Sequence, residues 1–110
     1  MTEAQAWALA ELDAVETASR VKRGELSRLE VVEAAVLRMA RARHLNAVVT
    51  ETFEKALQEA PGRTSGPLAG VPTFTKDLAQ VAGVRTTWGS ASTGQFISKK
   101  SDPSVVTLEQ

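Results

Sequence analysis

The stretch Gly66-Pro67-Leu68-Ala69-Gly70-Val71-Pro72 places the tightest constraint on what this chain can fold into. Two prolines and two glycines in seven residues cannot sustain a helix, because each proline removes a backbone donor and its ring crowds the preceding turn. The stretch reads as a rigid approach to an extended segment. It separates a helical front of the chain from a back rich in glycine, serine and threonine. At 110 residues the whole is the size of one ordinary domain.

The front is expected to hold three helices. Thr2 and Gln5 have capping-box spacing, and Ala8, Leu12, Val15 and Ala18 then recur at steps of three and four. Lys22 and Arg23 suit a helix C-terminus, and Gly24 ends it. Ser27 and Glu30 open a second helix with an apolar stripe of Leu29, Val32, Val36 and Met39, while Arg38, Arg41 and Arg43 mostly decorate its other side. Both stripes read as core-facing surfaces. Ala47-Val48-Val49-Thr50 is short, apolar and β-branched, which predicts a strand. Residues 51 to 60 form a third, shorter helix that stops at Pro61-Gly62.

Behind the proline-glycine stretch, residues 71 to 77 are expected as a strand ending in Lys76-Asp77. Residues 81 to 94 read as ordered loop with at most one strand. Ser101-Asp102-Pro103 is a plausible helix start, and the helical pattern opened at Val105 reaches only to Gln110. So short a helix is marginal alone, and the terminus is therefore read as a cut.

Composition removes several classes of function. Thirteen basic residues balance thirteen acidic ones, so no net field favours nucleic acid or an anionic membrane. Tyrosine is absent and aromatics are sparse, which argues against a stacking platform for bases. There is no cysteine, hence no disulfide, thiolate zinc site or cysteine nucleophile. A single histidine, His44, leaves little for a histidine metal site or a serine-histidine triad, and it reads as a partner of a helix C-terminus. No cofactor and no metal are expected. The N-terminus has no secretory pattern and no apolar run approaches the ~18 residues that span a bilayer, so a cytoplasmic protein is expected.

Lys76 is the candidate for chemistry. A lysine is a general base only when neutral, so an ordinary value of about 10.4 must fall to roughly 7–8 through burial or a neighbouring cation. A lysine at a buried strand end suits that shift. Asp77 opposes it, although adjacent strand residues point to opposite faces. From spacing alone Lys76 still reads as a solvated surface charge, as most lysines are. Gly89-Ser90-Ala91-Ser92-Thr93-Gly94 fails the glycine-x-serine-x-glycine elbow in both registers, and Thr73 with Lys76 is a weak dyad on a strand. Lys99-Lys100 reads as solvated loop.

A resemblance raises Lys76 above that background. Residues 66 to 77, from Gly66-Pro67-Leu68 through Gly70-Val71-Pro72 to Lys76-Asp77, resemble the lysine motif of the amidase-signature family. Gly83-Val84-Arg85-Thr86-Thr87-Trp88-Gly89-Ser90 is similar to the family's next block, and Asp102 with Val105-Val106 to the one after. Upstream, Arg23-Gly24-Glu25-Leu26-Ser27 and Leu45-Asn46-Ala47-Val48 resemble its N-terminal helices and first strand. The likeness covers residues 11 to 110 in order. Ala69 stands where many members carry histidine, which bears on subgroup only.

The resemblance implies an α/β fold, a mixed twisted sheet flanked by helices, of which residues 1–110 are a single incomplete domain. Residues 1–60 would be its helical segment, with the short strand near 47–50, and 66–110 the start of the core sheet. It implies hydrolysis of carbon–nitrogen amide bonds by a serine, cis-serine, lysine relay. Lys76 takes the lysine's place, and both serines lie beyond Gln110. The substrate would be a small amide, with no nucleic acid or membrane partner, and the 110 residues alone are expected to be inactive. The alternatives are a non-catalytic assembly element or the glutaminase subunit of a tRNA-dependent amidotransferase. Leu78, where those subunits have asparagine, leans against the latter.

A strand made for a central sheet leaves apolar faces and edge groups that need cover from the rest of the parent chain or from another chain. The 110-residue chain is therefore expected to expose an apolar patch above a few hundred Å², or to pair. Analytical ultracentrifugation checks this. A monodisperse monomer with no such patch would count against the fragment reading.

Overall fold

The computed structural model of the protein describes residues 1–110, which divide into two compact units, Met1–Pro72 and Thr73–Gln110.

The first unit is helical. Helix α1 (Glu3–Leu9) starts on a complete capping box: Gln5 N–H donates to Thr2 Oγ1 at 3.2 Å and Thr2 N–H to Gln5 Oε1 at 2.7 Å. Helix α2 (Ala14–Lys22) is a separate element, where the sequence suggested one helix running from Thr2 to Lys22. The cause is Asp13. Its carboxylate accepts from Glu16 N–H at 2.8 Å, and an aspartate so placed starts a helix rather than continuing one. The chain before it tightens into three-residue bonds, Glu11 N–H to Ala8 O and Leu12 N–H to Leu9 O. The expected stripe is broken at that point. Val15 is 72% exposed, and Ala6, Thr17 and Val21 are buried instead.

Helix α3 (Arg28–Arg41) begins on the Ser27–Glu30 box as expected, with bonds of 3.1 and 2.7 Å. Val32 of its predicted stripe is buried, Val36 and Met39 half-buried, and Val31 and Ala34 join them. Helix α1 packs on α3. Arg38 is not mere decoration, since its guanidinium crosses to Ala6 O at 2.6 Å while Arg41 pairs with Glu3 at 2.9 Å. Burial pulls the Arg38 guanidinium below its ordinary value. Helix α4 (Phe53–Glu59) runs into a short 3₁₀ turn, Ala60–Gly62, and both pack on α3.

Neither predicted strand is formed. Residues 47–50 follow Asn46, which sits in the left-handed region (φ 52°), and no ladder is built there. Residues 71–77 run without helix but also without a ladder, and Val71 N–H turns back to Leu68 O at 3.0 Å. β-branched and extended residues become a strand only where a neighbour supplies the pairing. The one bridge in the structure joins Arg85 to Ile97, antiparallel. The mixed sheet expected of an α/β fold is thus not present in this chain.

The second unit is held mostly by polar contacts. Gly83 N–H to Ser98 O, Ser98 N–H to Val84 O and Thr86 N–H to Phe96 O join its two limbs. Thr86 and Ser98 are buried with their hydroxyls 3.2 Å apart. Helix α5 (Pro103–Glu109) starts where expected and buries Val105. Asp102 bonds Gln80 through both its carboxylate (2.8 Å) and its N–H (2.9 Å).

Gly70 shows why the motif needs a glycine. Its φ is +83°, and a Cβ there would lie 2.5 to 2.9 Å from the Cβ, Cγ and Cδ of Arg28. Those atoms are the stem of a helix side chain and cannot move aside cheaply. Gly70→Ala should cost about 2–4 kcal/mol, left-handed strain plus overpacking. Gly24→Ala has a similar φ of +76° but open space around it, and should cost only about 1–2 kcal/mol. Chemical denaturation of both variants checks the difference.

Candidate functional site

Lys76 and its surroundings lie in the second unit. Its carbonyl accepts from Ala79 N–H at 2.9 Å, which closes a turn immediately after the lysine. The side chain is exposed, and its ammonium has no hydrogen bond or ion pair. The buried strand end expected for a base is therefore not built within this chain.

Asp77 is tied elsewhere. One carboxylate oxygen accepts from Thr87 N–H at 2.8 Å and the other from the Thr87 hydroxyl. Its backbone carbonyl accepts from Trp88 N–H at 3.0 Å. Gly89 N–H points to Thr87 Oγ1 at 3.2 Å, and Thr93 Oγ1 donates to Thr87 O. These donors hold the Asp77 carboxyl below its ordinary value; the Thr87 hydroxyl contributes most, then the Thr87 and Gly89 backbone and the charge of Arg85. Asp77 does not pair with Lys76, as the alternation argument expected, although the cause is a hydrogen-bonded loop and not a pleat.

Trp88 takes φ 51°, an unusual conformation for an aromatic residue, and Gly89 follows at φ 73°. The Trp88 ring lies 5.1 Å from that of Phe96, tilted by 47°. Phe74, Leu78, Trp88, Phe96 and Ile97 are between 44% and 60% exposed, a concentration of large apolar side chains in 38 residues of chain.

The other candidates serve the local backbone. Ser90 accepts from Ser92 N–H at 3.3 Å and caps the 3₁₀ turn Ala91–Thr93, so this loop is no nucleophile elbow. Thr73 and Lys76 are both exposed and make no bond to each other. His44 stands at the end of α3 with Nδ1 3.2 Å from Arg41 O, the helix-end role expected of it. Lys99 and Lys100 are exposed. Thr87 was missed by sequence reasoning. A bond spanning ten residues of loop carries no periodic signal.

Comparison with known proteins adds what the geometry lacks. The family model described as Amidase matches residues 30–110, which include the whole lysine motif, the Thr86–Thr87 block and Asp102. Similar proteins include a Mycobacterium leprae protein bearing the amidase name AmiC, 43% identical over 76% of this chain and 18% of its own. A glutamyl-tRNA(Gln) amidotransferase subunit of Lachnospira eligens is 37% identical over 81% of this chain and 20% of its own. The 6-aminohexanoate-cyclic-dimer hydrolase of a Pseudomonas strain is 42% identical over 64% and 14%. The chain spans about a fifth of the length of the relatives it matches. The chain belongs to the amidase-signature family. That membership stands although residues 71–77 form no strand, a result that on structural grounds alone would have weighed against it.

The Asp77 carboxyl sets an acid limit on this loop. Because its folded value is depressed, its contribution is complete above the unfolded value of about 3.9 and is lost as pH falls through the lower folded value. In a Trp7→Phe chain, Trp88 is the sole indole and its fluorescence should report an acid transition below about pH 4. Asp77→Asn in that background should remove this transition and leave those of other carboxylates.

Proposed function

We propose that this chain is part of an amidase that hydrolyses carbon–nitrogen bonds other than peptide bonds, with Lys76 as the base of a serine, cis-serine, lysine relay. The observation that carries the reading is the family match across residues 30–110; the likeness of residues 66–77 to the family's lysine motif supports Lys76 as its lysine. A neutral Lys76 accepts the proton of the bridging serine, and that serine deprotonates the nucleophilic one. The nucleophile attacks the amide carbonyl, an acyl-enzyme forms, the amine leaves, and water resolves the ester. The serines are assigned to family segments that follow the lysine motif. The serines near Lys76 in sequence, Ser90 and Ser92, are engaged in capping a turn.

In this reading residues 71–77 become a strand when the rest of a mixed sheet pairs with them, and residues 1–110 are one incomplete domain of that α/β fold. The exposed Phe74, Leu78, Trp88, Phe96 and Ile97 support covering by more of the parent chain or by another chain. The substrate class is a small amide; relatives named for amidase activity and for hydrolysis of a cyclic amide dimer support it. A cytoplasmic setting fits this substrate, and no helix is long and apolar enough to cross a membrane.

A second reading, the glutaminase subunit of a tRNA-dependent amidotransferase, is favoured by several relatives bearing the name of such a subunit. Leu78 had leaned against it. Glutamine hydrolysis that depends on partner subunits and charged tRNA would select this reading over a free-standing amidase.

In the complete protein, Lys76→Ala should lower kcat/KM on a simple carboxamide by at least about 10²–10⁴-fold. Lys76→Arg should fail nearly as badly, since a guanidinium stays protonated. Lys99→Ala, an exposed lysine outside the motif, should retain activity. A folded Lys76→Ala protein with wild-type turnover would remove Lys76 from the mechanism.

A further inference from the structure

Between Lys76 and the loop behind it, the structure sets up a division of labour that the relay alone does not require. Asp77 is the charged group nearest to Lys76 in sequence, and an unengaged carboxylate there would hold the lysine in its ammonium form. Both oxygens of that carboxylate are taken by Thr87, one through its N–H at 2.8 Å and one through its hydroxyl. The Asp77 carbonyl is taken by Trp88 N–H at 3.0 Å, so main chain and side chain are fixed to the same turn. Thr87 is itself buried (7% exposed), receives Gly89 N–H on its hydroxyl, and has its carbonyl bonded by Ser90 N–H and the Thr93 hydroxyl. Trp88 adopts its left-handed backbone to complete the turn. The ionised group acting on Asp77 besides these donors is Arg85, and no ionised group pairs with the Lys76 ammonium.

We propose that Thr87 is a positioning residue for the reaction: by occupying the Asp77 carboxylate it keeps that charge off Lys76 and leaves the amine free to act as base. This rests on the reading of Lys76 given above. Thr87 bonds the Asp77 carboxylate and not Lys76, so its effect on the lysine runs through Asp77. The hydroxyl is the essential part, because the backbone N–H remains in any substitution.

The test is the pH profile of kcat/KM on a simple carboxamide in the complete protein. Its acid limb reports protonation of the base. Thr87→Val should move that limb to higher pH by about one unit, lowering the rate on the limb about tenfold, because one carboxylate oxygen loses its donor. Thr87→Ser should restore the wild-type limb. In an Asp77→Asn background the Thr87→Val change should leave the limb where it stands, since no charge remains to be released. A limb unmoved in folded Thr87→Val, or moved equally in the Asp77→Asn background, overturns the proposal, and so does a Thr87→Ser variant that behaves like valine. Should Thr87→Val not fold, Asp77→Asn alone decides: a limb at the wild-type position supports the proposal, and one moved to lower pH, which would show the Asp77 charge already acting on Lys76, or to higher pH overturns it. Lys76→Ala separates the two readings. If that variant stays active, the Lys76 assignment has failed. If it is inactive while the Thr87→Val limb stays put, only the role of Thr87 has.

Discussion

The carboxylate of Asp77, held by the N–H and hydroxyl of Thr87, organises the loop on which the lysine motif ends. The second unit has little apolar core to rely on: Val105 is its one buried hydrophobic side chain, beside the buried polar residues Thr86, Thr87 and Ser98. Loops of this composition take one shape only if their polar groups find each other, because an unpaired buried donor costs about 1–3 kcal/mol. Asp77 and Asp102 do this work twice over. Each binds a distant backbone N–H with its carboxylate, and each is bonded to the same neighbourhood through its own main chain.

The first unit is built on different terms. Ala6, Ala34 and Ala60 are almost wholly buried, and small side chains of this kind let helices approach closely. Two reciprocal caps fix where α1 and α3 begin, and Arg38 carries a hydrogen bond from α3 to the main chain of α1. Gly70 belongs to this economy of space. A residue with any side chain would collide with the stem of Arg28, so the proline-glycine stretch is shaped both by its own φ angles and by the helix it meets.

What the sequence made legible follows the range of the interaction involved. Both capping boxes, the stop at Pro61-Gly62 and the start at Asp102-Pro103 rest on residues within four positions of each other, and all were readable. Asp13 carried the same kind of signal but was overridden by the periodicity of Ala8, Leu12, Val15 and Ala18, which happened to run across the break. The strands expected at 47–50 and 71–77 are not formed in this structure. Val48, Val49 and Thr50 state a preference that becomes a strand only in a ladder, and residues 47–50 form no ladder in this structure. Lys76 could be singled out only through resemblance, since nothing in its spacing distinguishes it from a surface lysine. Thr87, ten residues away across a loop, left no trace that a periodic reading could find.

Lys76 is exposed in this structure; the base proposed for it must be neutral, and bringing a lysine from about 10.4 to roughly 7–8 takes on the order of 4 kcal/mol. Phe74 and Leu78, two positions to either side, are 59% and 52% exposed. A surface that covers both would lie against the segment that also carries Lys76. Burying such a side chain in full is worth about 1.5–3 kcal/mol, and each is already nearly half covered, so covering the rest of both is worth about 2–3 kcal/mol, which offsets much but not all of the lysine's desolvation. On the proposed reading, covering this segment and activating the base are coupled. The Asp77–Thr87 bonds are what such an arrangement needs beforehand. On the role proposed for Thr87, losing them would leave the Asp77 carboxylate free to pair with Lys76, and covering the lysine would then favour its ammonium form.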